Sequence, residues 1–303
     1  MTKALDRLTL LDTFVRIAER GSISAAARDL NLSQASASRQ LKELETRFGA
    51  ELIRRTTHSL ALTQAGQELL TDARDMLARW EGIEERHMEG GDAMVRGPLK
   101  VIGPVALGQL YLADIALDFQ MAHPAVSLTW DLDDRPIRFA ETGCDCWIKV
   151  GPVPDETLIL KPLGKIERLV VAHPSLLESG AFESPDDVAR LPFLALSPYE
   201  GGRPTLVASD RGTEVIEPEI AVSTNNIFAL YRAALKGVGA AVLPKWFVEA
   251  DLQAGRLVDV LPDWRAPDLT ISAAYLPARH QPRRLSLFLD ALQEQVPKIP
   301  GIG

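Results

Sequence analysis

Between Ser22 and Gly49 the chain reads SISAAARDLNLSQASASRQLKELETRFG, two short helical patterns joined by a turn that permits only a sharp crossing. Ser24 is placed to cap Ala25 to Leu30, an alanine-rich helix whose small side chains allow close approach to a neighbour. Asn31 and Leu32 make the turn. Ser33 then caps a second helix of about Gln34 to Phe48, with Gly49 just past its end. On that helix Ala37, Leu41, Leu44 and Phe48 fall at steps of four, three and four, a single apolar stripe that predicts its buried face. Upstream, Leu8, Leu11, Phe14, Val15 and Ala18 recur at helical spacing, and Gly21 stands where a left-handed terminating residue is expected.

With the stripe turned inward, Gln34, Ser36, Ser38 and Arg39 remain near the N-terminal end of the second helix on exposed ground. Short polar side chains let a helix sit deep in a major groove, Gln and Arg match base-edge donors and acceptors, and Ser hydroxyls reach phosphates. The pattern is that of a helix-turn-helix presenting its recognition helix. On this stretch alone, a solvated face on a small helical bundle remains the alternative.

The next segment favours DNA. In ELIRRTTHSLALTQAG, Leu60 and Leu62 alternate with polar residues as in a two-stranded wing, Arg54 and Arg55 lie at its base, and Thr63 caps the helix that follows. Paired arginines beside a recognition helix suit phosphate or minor-groove contact. Charge agrees with this placement. The whole chain carries a net charge of -8, yet residues 1 to 66 hold ten Lys and Arg against seven Asp and Glu, while residues 67 to 96 hold four against eight. The basic part is N-terminal, and a polyanion is expected to dock there.

From Thr63 to about Glu89, one long helix carries Leu69, Ala73, Met76, Trp80, Ile83 and His87 at alternating four and three spacing. That seam predicts dimerisation. Glu89-Gly90-Gly91-Asp92 reads as a hinge. From Gly97 onward strands and helices alternate. Strands are expected at 99–103, 127–132, 146–150, 158–163, 168–172, 193–197, 219–222, 240–243 and 269–275, and helices at 106–122, 227–236, 244–254 and 282–296. This is an α/β organisation.

Other classes of function find little support. No run approaches the roughly 18 apolar residues of a membrane helix, and the N-terminus carries charges through its apolar positions, unlike a secretory signal, so a cytoplasmic protein is expected. Cys144 and Cys146 lack zinc-site spacing; two apart on a strand they face the same way, which disfavours a disulfide and suits buried structural thiols. The five histidines, His58, His87, His123, His173 and His280, have no nucleophile at a recognisable spacing, and phosphate-binding loops are absent from the sequence. Neither an enzyme nor a cofactor is expected. An exported binding protein would account for the α/β part but not for the basic helical module.

Taken together, the stretches FVRIAERGSISAAARDLNLSQASASRQLKELETRFGAELIRRTTHSLALTQAG, GPLKVIGP, DCWIKVGPVPDETLILKPLG, VAHPSLLESG, ALYRAALKGVGAAVLP and LQAGRLVDVLPDW, in that order, resemble the LysR-type transcriptional regulators across essentially the entire chain. The N-terminal block is highly specific; the later ones are individually weak. The resemblance implies an N-terminal all-α winged helix-turn-helix domain over 1–66, a dimerising linker helix over 67–92 and an α/β effector domain over 97–303. The effector domain would comprise two α/β subdomains resembling periplasmic binding proteins, one of about 97–171 plus 272–303 and one of about 172–271. It also implies double-stranded operator DNA as partner, a homodimer or homotetramer, RNA polymerase as a further candidate partner, and a small-molecule effector. One departure stands in the recognition segment: the family often has proline at the position of Ala35 and a larger aliphatic at Ala37, which implies an altered helix entry and a changed base contact.

Carried onto this sequence, the DNA-contacting positions are Ser33, Gln34, Ser36, Ser38, Arg39, Arg54 and Arg55, and the dimer seam is Leu69, Met76, Trp80 and Ile83. The cleft positions are Pro104, Val105, Lys149, Ser197, Thr224 and Asn225. Thr224-Asn225-Asn226 precede a helix, so free backbone N–H groups there are expected to favour a carboxylate on the effector. Pro104 and Val105 offer no hydroxyl where many relatives have Ser or Thr, which implies an apolar ligand body or no ligand.

Overall fold

The computed structural model describes residues 6–55, 60–87, 95–137, 139–177, 182–197, 204–208, 212–277 and 281–303. The N-terminal helices form as their patterns predict. Helix α1 (Arg7–Arg20) stops at Gly21, φ 55°, α2 (Ile23–Asp29) follows, and Asn31 takes φ 53° in the tight turn. Helix α3 (Gln34–Phe48) starts at Ser33, whose Oγ accepts the Ser36 N–H, and ends at Gly49, φ 65°. The cap of α2 differs from expectation. Ser22, not Ser24, accepts the Ala25 N–H, because Ile23 is already helical and buried in the core. The α3 stripe is buried through Ala37, Leu41 and Leu44, but Phe48 in its last turn is 56% exposed.

Leu10, Phe14 and Ile17 of α1 pack with Ala26 of α2 and Leu41 of α3 in one core. Strands β1 (Ile53–Arg55) and β2 (Leu60–Leu62) pair antiparallel as the wing, with Arg54 opposite Ala61. Helix α4 (Gln64–His87) begins at Thr63, whose Oγ1 accepts the Gly66 N–H. Its first turns dock on the same core through Leu70 and Ala73. His58, the hinge at 89–92 and His280 lie outside the described residues.

The rest of the chain builds a mixed sheet. Strand β3 (Gly97–Gly103) leads into α5 (Val105–Leu107), which runs through a π-helical turn at Gly108–Leu112 into α6 (Ala113–Ala122). Then come β4 (Val126–Leu132), α7 (Phe139–Thr142), β5 (Cys146–Val150), β6 (Ile159–Ala172), α8 (Pro185–Ala189), β7 (Phe193–Leu196), β8 (Thr205–Ala208) and β9 (Gly212–Val215). The chain continues with β10 (Ile220–Thr224), α9 (Ile227–Leu235), β11 (Ala240–Pro244), α10 (Lys245–Gln253), β12 (Val258–Asp259), β13 (Ala266–Tyr275) and α11 (Arg283–Gln295). The strand order is β10-β7-β11-β6-β13-β5-β3-β4, with β12 beside β6.

The long antiparallel pair β6 and β13 crosses between two sets of parallel strands, β5-β3-β4 on one side and β10-β7-β11 on the other. Each strand set is packed on both faces. Leu99, Val101, Phe288 and Leu292 lie in one cluster of the β5-β3-β4 side and Ile102, Phe139 and Trp147 in another; on the β10-β7-β11 side Val170, Phe193, Leu206 and Trp264 lie in one and Leu169, Leu194, Leu230 and Leu243 in another. The two strands expected at 158–163 and 168–172 are one. The break suggested by Pro162 and Gly164 is absorbed as a register shift against β13, between Ile271 and Ser272. The β8–β9 hairpin, the two-residue β12 and the short helices α7 and α8 lie outside the elements expected from the sequence.

Candidate nucleic-acid interface and effector cleft

On α3, Arg39 is exposed opposite the Ala37–Leu41–Leu44 stripe, Gln34 is exposed as the first residue of the helix, and Ser36 and Ser38 are half-buried on the two flanks of Ala37. Ser33 is exposed but engaged: its Oγ lies 2.8 Å from Ser36 Oγ while it caps the helix, so part of its hydrogen-bonding capacity is spent within the turn. Ala35, Lys42 and Thr46 are exposed beside Arg39 at helical spacing. Lys42 therefore adds a cation to this face, and its i+3 relation to Arg39 was legible in the sequence.

Behind α3, Gln40 is 4% exposed and its Oε1 accepts the Thr13 hydroxyl of α1 at 2.5 Å. Glu45 fastens the wing, its carboxylate accepting the N–H groups of Leu52 and Ile53 at 3.0 and 3.3 Å. Arg54 is exposed and pairs loosely with Glu51 at 3.7 Å. Arg55 belongs to β1, opposite Leu60, and its side chain lies outside the described residues.

Along α4 the seam divides into two parts. Leu69 packs partly against the core of the helix-turn-helix, whereas Met76, Trp80 and Ile83 are 52%, 45% and 41% exposed, one to two helical turns apart on one face. Large apolar side chains in such a row remain available to a second helix. Exposed Leu110, Leu117 and Met121 form another apolar row, on the π turn and α6 beside the edge strand β4.

Where β6 and β13 cross between the two strand sets lies a cleft of about 1090 Å³, its open mouth included. Pro104, Lys149, Ser197 and Asn225 line it; Val105 and Thr224 do not. Their chemistry is turned elsewhere. The Val105 N–H donates to Asp134 Oδ1 at 2.9 Å, and Thr224 Oγ1 accepts the Asn226 N–H at 3.2 Å. Close packing fixes α5 at the cleft edge, since a Cβ on Gly108 would stand 2.4 Å from Leu132 Cδ2.

Two of the N–H groups expected to be free at the start of α9 are engaged. Asn226 Oδ1 accepts from Phe228 N and Ala229 N at 3.0 and 3.1 Å, so the chain's own cap takes up these two donors before any anion could. Positive charge enters the cleft instead from Lys149, half-buried on β5 with its Nζ 6.0 Å from the Trp147 ring centroid, and from Arg168 on β6, 7% exposed, whose Nε donates to Pro267 O at 2.8 Å. Desolvation lowers the Lys149 pKa, and the Asp134 charge opposes that shift. Asp133 at the rim is held below the usual carboxylate range, chiefly by its hydrogen bonds from Arg135. The remaining walls are mostly apolar, among them Leu107, Ile148, Phe193, Leu196, Val242 and Trp246. Arg168 and Trp246 escaped the sequence reading because a lone Arg in a strand and a Trp in a helix carry no positional signal.

Cys144 and Cys146 are both buried free thiols, and Cys144 Sγ donates to Cys146 O at 2.8 Å. Burial pushes the Cys144 thiol up to about 12. Among the described residues no cluster of His, Cys, Asp and Glu could hold a metal ion, and no helix is long and apolar enough to cross a membrane.

Comparison with known proteins agrees with this anatomy. Residues 8–67 match the family model for bacterial regulatory helix-turn-helix proteins of the lysR family, and residues 92–297 match that for the LysR substrate binding domain. An uncharacterized HTH-type transcriptional regulator of Escherichia coli K12, YhjC, is 30% identical over 291 residues, covering 95% of this chain and 97% of that protein. The HTH-type transcriptional regulator PtxR of Pseudomonas aeruginosa is 30% identical over 308 residues, covering 99% of this chain and 98% of its own.

Among solved structures, a point variant of full-length OxyR from P. aeruginosa aligns with a TM-score of 0.65 at 20% identity, over 94% of this chain and 97% of that one. LysG from Corynebacterium glutamicum, described with bound effector Arg, aligns at 0.62 and 20% identity, over 97% and 99%. The winged helix-turn-helix at one end, the two-part α/β domain at the other and family matches over both place this chain in the LysR family of DNA-binding transcriptional regulators.

Proposed function

We propose that α3 reads operator DNA in the major groove through Gln34, Ser36, Ser38 and Arg39, with Ser33 fixing the helix entry and Arg54 and Arg55 holding the backbone or minor groove from the wing. The observation that carries this is the exposure of Gln34, at the start of the helix, and of Arg39, opposite the inner face that is locked by Ala37, Leu41 and Leu44. A gel-shift assay with the DNA upstream of the protein's own gene tests it: specific retention that survives excess random DNA is expected, and equal retention of both DNAs would contradict it.

In this reading residues 1–66 are the DNA-binding domain, 67–92 the linker and 97–303 the effector domain, with subdomains of about 97–171 plus 272–303 and 172–271. Leu69, Met76, Trp80 and Ile83 form a dimer seam, and Leu110, Leu117 and Met121 offer a second face from which a homotetramer would be built. The cleft takes a small-molecule effector that shifts operator binding. Its walls favour an apolar body, and a carboxylate on that body would meet Lys149 rather than a helix N-terminus. Pro104, Ser197 and Asn225 border the ligand, while Val105 and Thr224 shape the rim through their hydrogen bonds. The protein acts in the cytoplasm as a regulator rather than a catalyst, with RNA polymerase as its partner at the promoter.

A further inference from the structure

We propose that the segment Gly143–Asp145 of the effector domain is the docking site for the last turn of α1, and that Glu19 is the residue through which the position of the cleft strand β5 is passed to the DNA-binding domain. The tightest approach is at Gly143. It has φ 60°, and a Cβ built there would stand 2.9 Å from both Cβ and Cγ of Glu19 and 3.1 Å from its Cα, the first two closer than real Cβ atoms come. The absence of a side chain thus lets this loop touch the backbone of α1.

The Glu19 carboxylate joins three bodies at this point. It pairs with Arg16 of α1 at 3.4 Å and with Arg74 of the linker helix at 3.3 Å. On the effector side it faces Asp145, whose charge opposes its ionisation. Burial raises the pKa of both carboxyls, and Arg16 and Arg74 act on both in the opposite sense, joined at Asp145 by Arg284. Two acids enclosed with a shared set of guanidinium groups are tightly coupled in position: moving either one alone leaves a desolvated charge without its compensation.

The loop is stiff enough to carry a displacement. Asp145 accepts the Lys100 N–H on its side chain at 2.7 Å and donates its own N–H to Lys100 O at 2.8 Å, while Lys100 Nζ donates to Thr142 O at 2.9 Å. Cys146 begins β5 directly after it, and Lys149 of that strand lines the cleft. A shift of β5 on ligand binding therefore arrives at Gly143 without slack, and through Glu19 reaches α1 and α4 together. This rests on the cleft being the effector site, but the contact itself does not.

Hydrogen exchange of the full-length chain tests it without DNA. Gly143→Asn keeps the left-handed backbone, which Asn tolerates, and inserts a side chain against Glu19; Glu19→Ala removes the carboxylate from the other side. Each is expected to speed exchange roughly tenfold or more in both the last turn of α1 and residues 143–146, as local opening becomes easier. Unchanged exchange in both segments of both variants overturns the docking. For the coupling, Lys149→Met should alter exchange at α1 in the wild-type background and not in Gly143→Asn. No effect at α1, or an equal effect in both backgrounds, overturns the transmission. Loss of operator binding alone would bear on the DNA reading and leave these exchange results standing.

Discussion

Thr13 of α1 and Gln40 of α3 are joined by a buried hydrogen bond, the hydroxyl donating to Oε1 at 2.5 Å. It is the polar pin in an otherwise apolar interface, and it lies one residue from Arg39 on the helix that presents Gln34 and Arg39. Replacing Thr13 with Val leaves the Gln40 amide buried with one acceptor unpaired, a cost of about 1–3 kcal/mol. Urea unfolding should show that loss in Thr13→Val, and the double variant Thr13→Val with Gln40→Leu should recover much of it. Full additivity of the two single losses would mean that the pair does not interact.

The exposed row on α4 leads to a second expectation. Trp80→Ala together with Ile83→Ala removes two of the three large apolar groups on that face and should weaken self-association, with operator affinity falling alongside. Sedimentation equilibrium reads it. An unchanged oligomer would move the dimer interface elsewhere, with the row on Leu110, Leu117 and Met121 as the next face to alter.

Cys144 supplies a pH test. Its folded pKa of about 12 lies above the ordinary thiol value of 9.0, so the stability linked to this thiol is fully present below pH 9 and is lost as pH rises from there toward 12. At pH 8 a chromogenic disulfide should therefore leave both buried thiols unmodified in the native protein and modify both after unfolding. Rapid native modification at pH 8 would contradict the burial of the pair.

Much of this was legible in the sequence because it depends on local pattern. The cap at Ser33, the turn at Asn31, the stop at Gly49 and the stripe Ala37–Leu41–Leu44 are all set within one or two helical turns, and a resemblance anchored on those residues extends to the domain order. What was not legible depends on distant partners. Gln40 falls at the spacing of the buried stripe, but the partner that satisfies it there, Thr13, is 27 residues away on another helix and no local pattern pairs them. The start of α9 reads as open until Asn226 is seen to bend back onto Phe228 and Ala229. Asp134, 29 residues along from Val105, closes the corresponding N–H at the other side of the cleft in a way that spacing does not announce. Ser22 and Ser24 are both suitable caps by composition, and the burial of Ile23 decides between them.

Those closures change what is expected of a ligand. A melting-temperature screen of carboxylates and their matched amides on wild type and Lys149→Met tests the cleft, since a ligand at 100 times its dissociation constant adds about 2.7 kcal/mol of stability. Carboxylates should stabilise wild type and lose most of that effect in Lys149→Met. Hits that stabilise both proteins equally would remove Lys149 from the effector site.

The central claim is that α3 reads sequence while the wing grips the backbone, and equilibrium binding to operator and scrambled DNA over a range of salt concentrations measures it directly. Arg39→Ala should lose roughly 1–3 kcal/mol on the operator with little change on scrambled DNA. Arg55→Ala should weaken both alike and flatten the slope of log affinity against log salt by about 0.9 for each phosphate no longer neutralised. Equal losses on the two DNAs for Arg39→Ala, with the same flattening of slope, would contradict the account and make Arg39 a phosphate clamp.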